Sequence, residues 1–376
     1  MKEIMKKESN FGGGGNCDIS YGVSDILNAV RCVAALLVLI GHGFSFFQIS
    51  IFKDDSYFPY IQSLAVLIFF ILSGFLTDNT LSKEKEKYKY KRFIISRAKR
   101  IYEYYLGALL MVVIIDKMII AINPSAYLHY GTLSFEILIK NIMMIPRMVS
   151  LNIFGIQSLN IPVVGRLITN DTLGSARPFW TLFIEWWLYV FYGYYKLVYK
   201  EKHQNTINLL DIFMVILFAL MFVHLDFNCQ CCILCFGGGV LVNRIYRVVK
   251  IEKGLLFAIS FVMMLLFIVV SQSVRKAYCL EECLLLVILF LVILEWGEEY
   301  RKCSRSLVLK EVAGITYPLY LIHYSIMELI IYTSNKWSFR ESFVTSLVVS
   351  IGCSLIFYYS VIFVKKILNR ISIWKK

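Results

Sequence analysis

The sequence predicts an all-α, polytopic membrane protein. Its 376 residues are 58% hydrophobic and 15% aromatic, and its mean hydropathy of +0.66 lies well above what water-soluble domains carry. Apolar runs of about 20 residues recur along the chain, each long enough as a helix to cross about 30 Å of hydrocarbon. This composition excludes a soluble enzyme and a disordered scaffold.

Ten such runs are legible, at 26–48, 61–81, 102–122, 178–199, 206–225, 229–246, 254–272, 279–297, 312–333 and 341–364. About ten transmembrane helices put both termini on one side. Of the 39 Lys and Arg, 28 fall in the termini and the connections on that side, and 9 fall in the opposite connections. The excess of cations marks the cytoplasmic face, so both termini are expected there. The formal charge of +13 is then a topology signal that also favours anionic membrane lipid, and it implies no nucleic acid partner.

The domain plan is a flexible cytoplasmic tail over residues 1–24, a membrane domain over 25–366, and a basic cytoplasmic tail over 367–376. One connection is unusually long, at 123–177 on the outer face. It contains "LSFEILIKNIMMIPRMVSLNIFG", apolar but broken by Pro146 and by charges, which suits an interfacial or re-entrant segment better than a crossing. The cysteine-rich "CQCCILCF" at Cys229–Cys235 has apolar neighbours and no nearby histidine, so buried thiols are expected there and no metal site.

Certain residues do not belong in lipid. A charge at the middle of a spanning helix costs about 2.5–3.5 kcal/mol on insertion scales, so it normally faces a cavity or a partner. Helix one carries Arg31 and His42, helix two Ser73, helix four Glu185 and helix nine His323. Arg31 and His42 are eleven positions apart, which puts them on one helix face about 16 Å apart along the axis. Counting residues in from each end places His42, Ser73, Glu185 and His323 in one depth layer. Arg97 and Arg100, three apart in the basic stretch before helix three, belong to an ordinary stop-transfer cluster, bind phosphate from one helix face, or do both.

An arginine at the cytoplasmic mouth with a histidine three turns deeper fits a long donor, phosphorylated at one end and reactive at the other. Acyl-coenzyme A has that shape, its phosphates meeting Arg31, Arg97 and Arg100 and its thioester meeting His42.

The same residues carry a resemblance. Arg31 and His42 in an R-x10-H spacing, "FFILSG", "SRAKRIYEYY", "FWTLFIE" and "YPLYLIH" occur in the order found in the integral membrane acyltransferase 3 family, which includes O-acetyltransferases of bacterial surface polysaccharides. Glu103 stands where that family usually has a proline. The resemblance implies a multi-pass protein of the bacterial inner (cytoplasmic) membrane with no tightly bound cofactor. It would move an acyl group, usually acetyl, from cytoplasmic acetyl-coenzyme A to a hydroxyl of a surface glycan or lipid-linked sugar. His42 and Arg31 match the family's essential histidine and arginine.

On this reading His42 is the general base on the sugar hydroxyl, with Glu185 orienting it; an acyl-histidine intermediate is the competing route. Ser73 either serves close helix packing or donates to the thioester oxygen. His323 either orients substrate or bonds a neighbouring backbone group. Trp180, Tyr317 and Tyr320 are packing groups or cavity aromatics suited to sugar rings. A transporter or flippase built on the same buried polar groups stays open.

Overall fold

The structure, a computed structural model, describes residues 19–48, 61–83, 89–124, 127, 129, 132–146, 152–153, 156–157, 171–200, 207–248, 252–273, 278–299, 306–334 and 337–373. It is helical throughout apart from one pair of two-residue strands. The helices are α1 (Tyr21–Phe46), α2 (Ile61–Lys83), α3 (Tyr90–Ile122), α4 (Phe135–Ile142), α5 (Trp180–Tyr194), α6 (Leu209–His224), α7 (Phe227–Val248), α8 (Lys253–Ser273), α9 (Leu280–Glu299), α10 (Leu307–Thr333) and α11 (Phe339–Ile373). The antiparallel strands β1 (Asn152–Ile153) and β2 (Ile156–Gln157) lie between α4 and α5.

Each of the ten apolar runs coincides with a helix, and six of these helices are long and apolar enough to cross a membrane: α1, α2, α3, α7, α10 and α11. Their outward faces carry large apolar side chains such as Leu110, Ile114 and Met118 on α3 and Val348, Ile356 and Phe363 on α11. Exposed to water these would form a wide sticky belt, whereas hydrocarbon accepts them without cost.

Several helix ends differ from the apolar runs, because an apolar run marks the membrane while a helix continues as long as nothing breaks it. α1 starts at Tyr21, inside the expected tail, where the Ser20 hydroxyl accepts from the Val23 amide at 3.2 Å and caps the first turn. α3 starts at Tyr90 rather than 102, so Arg97 and Arg100 are helical residues. α11 runs to Ile373, into the expected basic tail. Residues 1–18 of the N-terminal tail and most of 147–170 lie outside the described residues. Within the long connection, α4 has eight residues, a rise of about 12 Å, too short to cross.

The centre of the bundle is α1, α2, α7 and α10. α2 and α10 are 67% buried over their most apolar windows while α11 is 11% buried, so α11 packs on the outside. Glycines set the closest approach. A Cβ at Gly74 on α2 would fall 2.0 Å from the Phe236 carbonyl oxygen, and one at Gly239 on α7 would fall 2.0 Å from that of Ile71. Only glycine allows those two backbones so near each other. On α11, Ser342, Ser346, Ser350 and Ser354 recur every fourth residue and are all buried, a stripe of small side chains of the kind that lets membrane helices approach closely.

Candidate active site

Between α1, α2, α3, α5 and α10 lies a cavity of about 380 Å³, within the range of small-ligand sites. Arg31, Ser73, Arg100, Glu185, Tyr317 and Tyr320 all line it. Five helices thus deliver to one space six of the ten residues picked from the sequence. Its remaining wall is largely apolar and aromatic, with Val66, Phe69, Phe70 and Leu72 from α2 and Tyr104 from α3.

"FFILSGF" divides its work between neighbours. Gly74 presses on α7 while Ser73, one residue earlier and about 100° round the helix, faces the cavity. The Ser73 hydroxyl bonds Glu185 Oε1 at 2.7 Å and the Tyr189 hydroxyl at 2.8 Å. Tyr189 in turn donates to the same Glu185 oxygen at 2.5 Å. In this motif the glycine packs against α7 and the serine lines the cavity.

The two cavity arginines contrast with that closed triangle. Among the described residues neither Arg31 nor Arg100 has a carboxylate within ion-pair distance. Glu103, on the cavity rim, is neutralised by Lys365 from α11. Two guanidiniums therefore face a single carboxylate, Glu185, and the space is net positive.

Arg97 does not join them. Three residues along a helix amount to 300°, leaving a 60° offset from Arg100. That offset is enough to send its side chain to the rings of Phe93, 5.2 Å from the guanidinium carbon, and Tyr189, 4.9 Å away. Arg97 is a buried cation–π partner behind the cavity wall. Trp180 is also outside the lining; its ring meets Tyr278 at 6.3 Å.

The histidines form a second centre beside the first. The His42 and His323 ring centroids are 5.4 Å apart, and His42 meets Tyr324 edge-on at 5.2 Å. Neither histidine lines the cavity. Tyr320 connects the two centres: it lines the cavity and its ring lies 6.0 Å from His323. Its hydroxyl is held by Thr181 Oγ1 at 2.7 Å and donates to the Pro178 carbonyl at 3.2 Å, and its ring meets Phe69 at 5.9 Å.

One expectation is corrected here. No hydrogen bond joins Glu185 to His42 among the described residues; Glu185 Oε1 instead accepts from Ser73 and Tyr189. The shared depth of the four polar residues is consistent with two pairs, Ser73–Glu185 and His42–His323, rather than one quartet. Tyr189 escaped the sequence reading although it follows Glu185 by four residues, the spacing that places two side chains on one helix face. So did a polar cluster beyond the histidines, where His129 bonds Glu328 at 2.8 Å and Ser175 donates its amide to Asp116 at 3.0 Å. His129 and Ser175 come from the long connection between α3 and α5, and no pattern in that stretch announces either. The "CQCCILCF" cysteines are buried on α7 and form no disulfide among the described residues.

A bundle of apolar helices around a cationic cavity with a largely apolar wall defines a membrane protein with a ligand-sized space among its helices. The comparison with known families agrees with that class: the acyltransferase domain model of the acyltransferase 3 type matches residues 25–362. The chain belongs to the acyltransferase 3 family, and is a multi-pass membrane acyltransferase. No curated protein and no solved structure matches it significantly.

Proposed function

We propose that this acyltransferase moves an acetyl group from cytoplasmic acetyl-coenzyme A to a hydroxyl of a surface glycan or lipid-linked sugar, with His42 as general base. The observation that carries the reading is the cavity in which Arg31 and Arg100 stand without carboxylate partners among the described residues, one aromatic layer from the His42–His323 pair. Unpaired guanidiniums in a low-dielectric space are poised for phosphate oxygens, which they bind through two parallel hydrogen bonds. The donor's phosphates rest on Arg31 and Arg100, and its pantetheine arm follows the apolar wall past Phe69 and Tyr320 to His42.

The topology belongs to this reading: α1–α3 and α5–α11 cross the membrane, both termini are cytoplasmic, and the bilayer is the bacterial inner membrane. The arginines of the cavity then open toward the cytoplasm, where the donor is made, and the histidines lie nearer the acceptor. The acceptor hydroxyl gives its proton to His42 as its oxygen attacks the thioester carbon. The carbon–sulfur bond breaks, and the departing thiolate takes that proton from the imidazolium. A neutral imidazole suits both transfers.

The test is the purified protein in lipid nanodiscs with acetyl-coenzyme A and a glycan acceptor, followed by release of free thiol and by acceptor mass. Transfer is expected, and His42→Ala lowers it by about 10³-fold, inside the span of general acid–base contributions. Undiminished transfer by folded His42→Ala protein overturns the assignment of the base. Counterflow of the glycan in liposomes without thiol release overturns the enzyme reading.

A further inference from the structure

His323 is the one site histidine whose hydrogen the fold itself places. Two atoms lie within bonding distance of its Nδ1, the Leu319 carbonyl oxygen at 3.0 Å and the Tyr320 carbonyl oxygen at 2.9 Å. A carbonyl oxygen only accepts, so Nδ1 must carry the hydrogen and donate it. In the neutral ring Nε2 then holds a lone pair.

That Nε2 is buried and has no hydrogen-bond partner, on a residue that is 1% exposed. Buried acceptors are normally satisfied, so this lone pair is open to a donor from a neighbouring group. The adjacent ring is His42, tilted 34° at a centroid distance of 5.4 Å. Tyr324, the other ring beside His42, meets it edge-on at 84°.

We infer that His323 is the positioning residue of His42: its Nε2 lone pair accepts the His42 ring N–H, so that the other nitrogen of His42 keeps its lone pair toward the acceptor hydroxyl. The inference rests on the proposed acyl transfer and assigns to His323 the part that Glu185, held by Ser73 and Tyr189, does not play. No hydrogen bond joins the two rings in this structure. Catalytic hydrogen bonds are often long in the absence of substrate and tighten in the reacting complex. His323 takes no proton in the cycle. It accepts a hydrogen bond from His42 while His42 receives the hydroxyl proton and returns it to the thiolate. The two carbonyls that accept from Nδ1–H raise the electron density of the ring, much as outer partners do for metal-bound histidines.

Two substitutions separate positioning from mere packing of α10. His323→Leu fills the space but offers no acceptor. His323→Gln keeps both functions, since its amide N–H can donate to the carbonyls and its oxygen can accept from His42. In nanodiscs His323→Leu is expected to lower kcat about 100-fold with KM for acetyl-coenzyme A within about twofold, and His323→Gln is expected to recover to within about tenfold of wild type. Full kcat in folded His323→Leu protein, or equal losses in both variants, overturns the inference.

A measurement on the wild-type protein covers the case in which His323→Leu does not fold. With ¹⁵N-labelled imidazoles, His323 should show the Nδ1–H tautomer and His42 a nitrogen–nitrogen coupling across the shared hydrogen once acetyl-coenzyme A is bound. Finding the hydrogen on Nε2 of His323 overturns the inference whether or not the variants fold. A wild-type protein that transfers no acetyl group would instead defeat the proposed function, and the tautomer would still be read independently.

Discussion

Two groups of buried ionised side chains in this molecule are built to opposite rules. Asp78, at the far end of α2 from the histidines, is 1% exposed and every contact it makes is complementary: Lys196 Nζ at 2.7 Å, Asn243 Nδ2 at 2.7 Å, and the Tyr192 hydroxyl. Arg31 and Arg100 share a cavity with Glu185 and stay unpaired, while Glu185 spends its hydrogen bonds on neutral hydroxyls. A buried charge that is paired holds helices together. One left unpaired keeps its binding capacity for something that arrives later, and the fold bears the cost.

The sharpest break of this comparison should come at Asp78. Asp78→Ala leaves the Lys196 ammonium without its carboxylate, and removing one partner of a buried pair destabilises by about 3–5 kcal/mol. The expected outcome is a large fall in the thermal midpoint of the solubilised protein, with surviving protein retaining its KM for acetyl-coenzyme A. An unchanged midpoint would show that the pair is not structural.

Arg100→Gln should do the reverse. Hydrogen bonds to charged groups contribute about 1.5–3 kcal/mol, so KM for acetyl-coenzyme A rises about 10- to 100-fold. The thermal midpoint holds or increases, because a solvent-stripped charge has been removed. A fall in stability with unchanged KM would mean that Arg100 belongs with Asp78 rather than with a ligand.

The contrast also explains what could be read from the sequence. Depth along a helix axis follows from counting residues, so Arg31, His42, Ser73, Glu185 and His323 could be placed in adjoining layers. The R-x10-H interval further fixes that Arg31 and His42 share a face. Azimuth between helices is different: it depends on how each helix rotates when its glycines and serines find their partners, as Gly74 and Gly239 do. That is why Glu185 was expected to meet His42 but meets Ser73, and why Arg97, 60° away from Arg100, leaves the cavity altogether. The helices run past the apolar stretches for a related reason, since hydropathy records where lipid stops and says nothing of whether the backbone continues.

A smaller effect tests the triangle that keeps Glu185 away from the arginines. Tyr189→Phe removes the hydroxyl bonded to Glu185 and Ser73 and keeps the ring that Arg97 faces. One net hydrogen bond amounts to about 1 kcal/mol, so kcat should fall about fivefold with little change in the thermal midpoint. If Glu185 turns to Arg31 or Arg100 once released, KM for the donor rises as well, and that rise measures how far the triangle protects the cationic space. A variant with wild-type kinetics in both parameters would show that the triangle is packing alone.

The smallest effect is expected at Glu103, where the family usually has proline. Here the carboxylate pairs with Lys365, whose side chain is 53% exposed while that of Glu103 is 21% exposed. Pairs in such accessible settings contribute about 0–1 kcal/mol. Glu103→Gln should therefore leave the thermal midpoint almost unchanged, and it releases the Lys365 ammonium at the rim of a cavity already net positive. A donor with several phosphates gains from another cation within about a Debye length, so KM for acetyl-coenzyme A should fall about twofold at low salt and return to the wild-type value at high salt. A rise in KM would place Glu103 among the groups that hold the donor and would move the boundary between the two kinds of buried charge out to the rim.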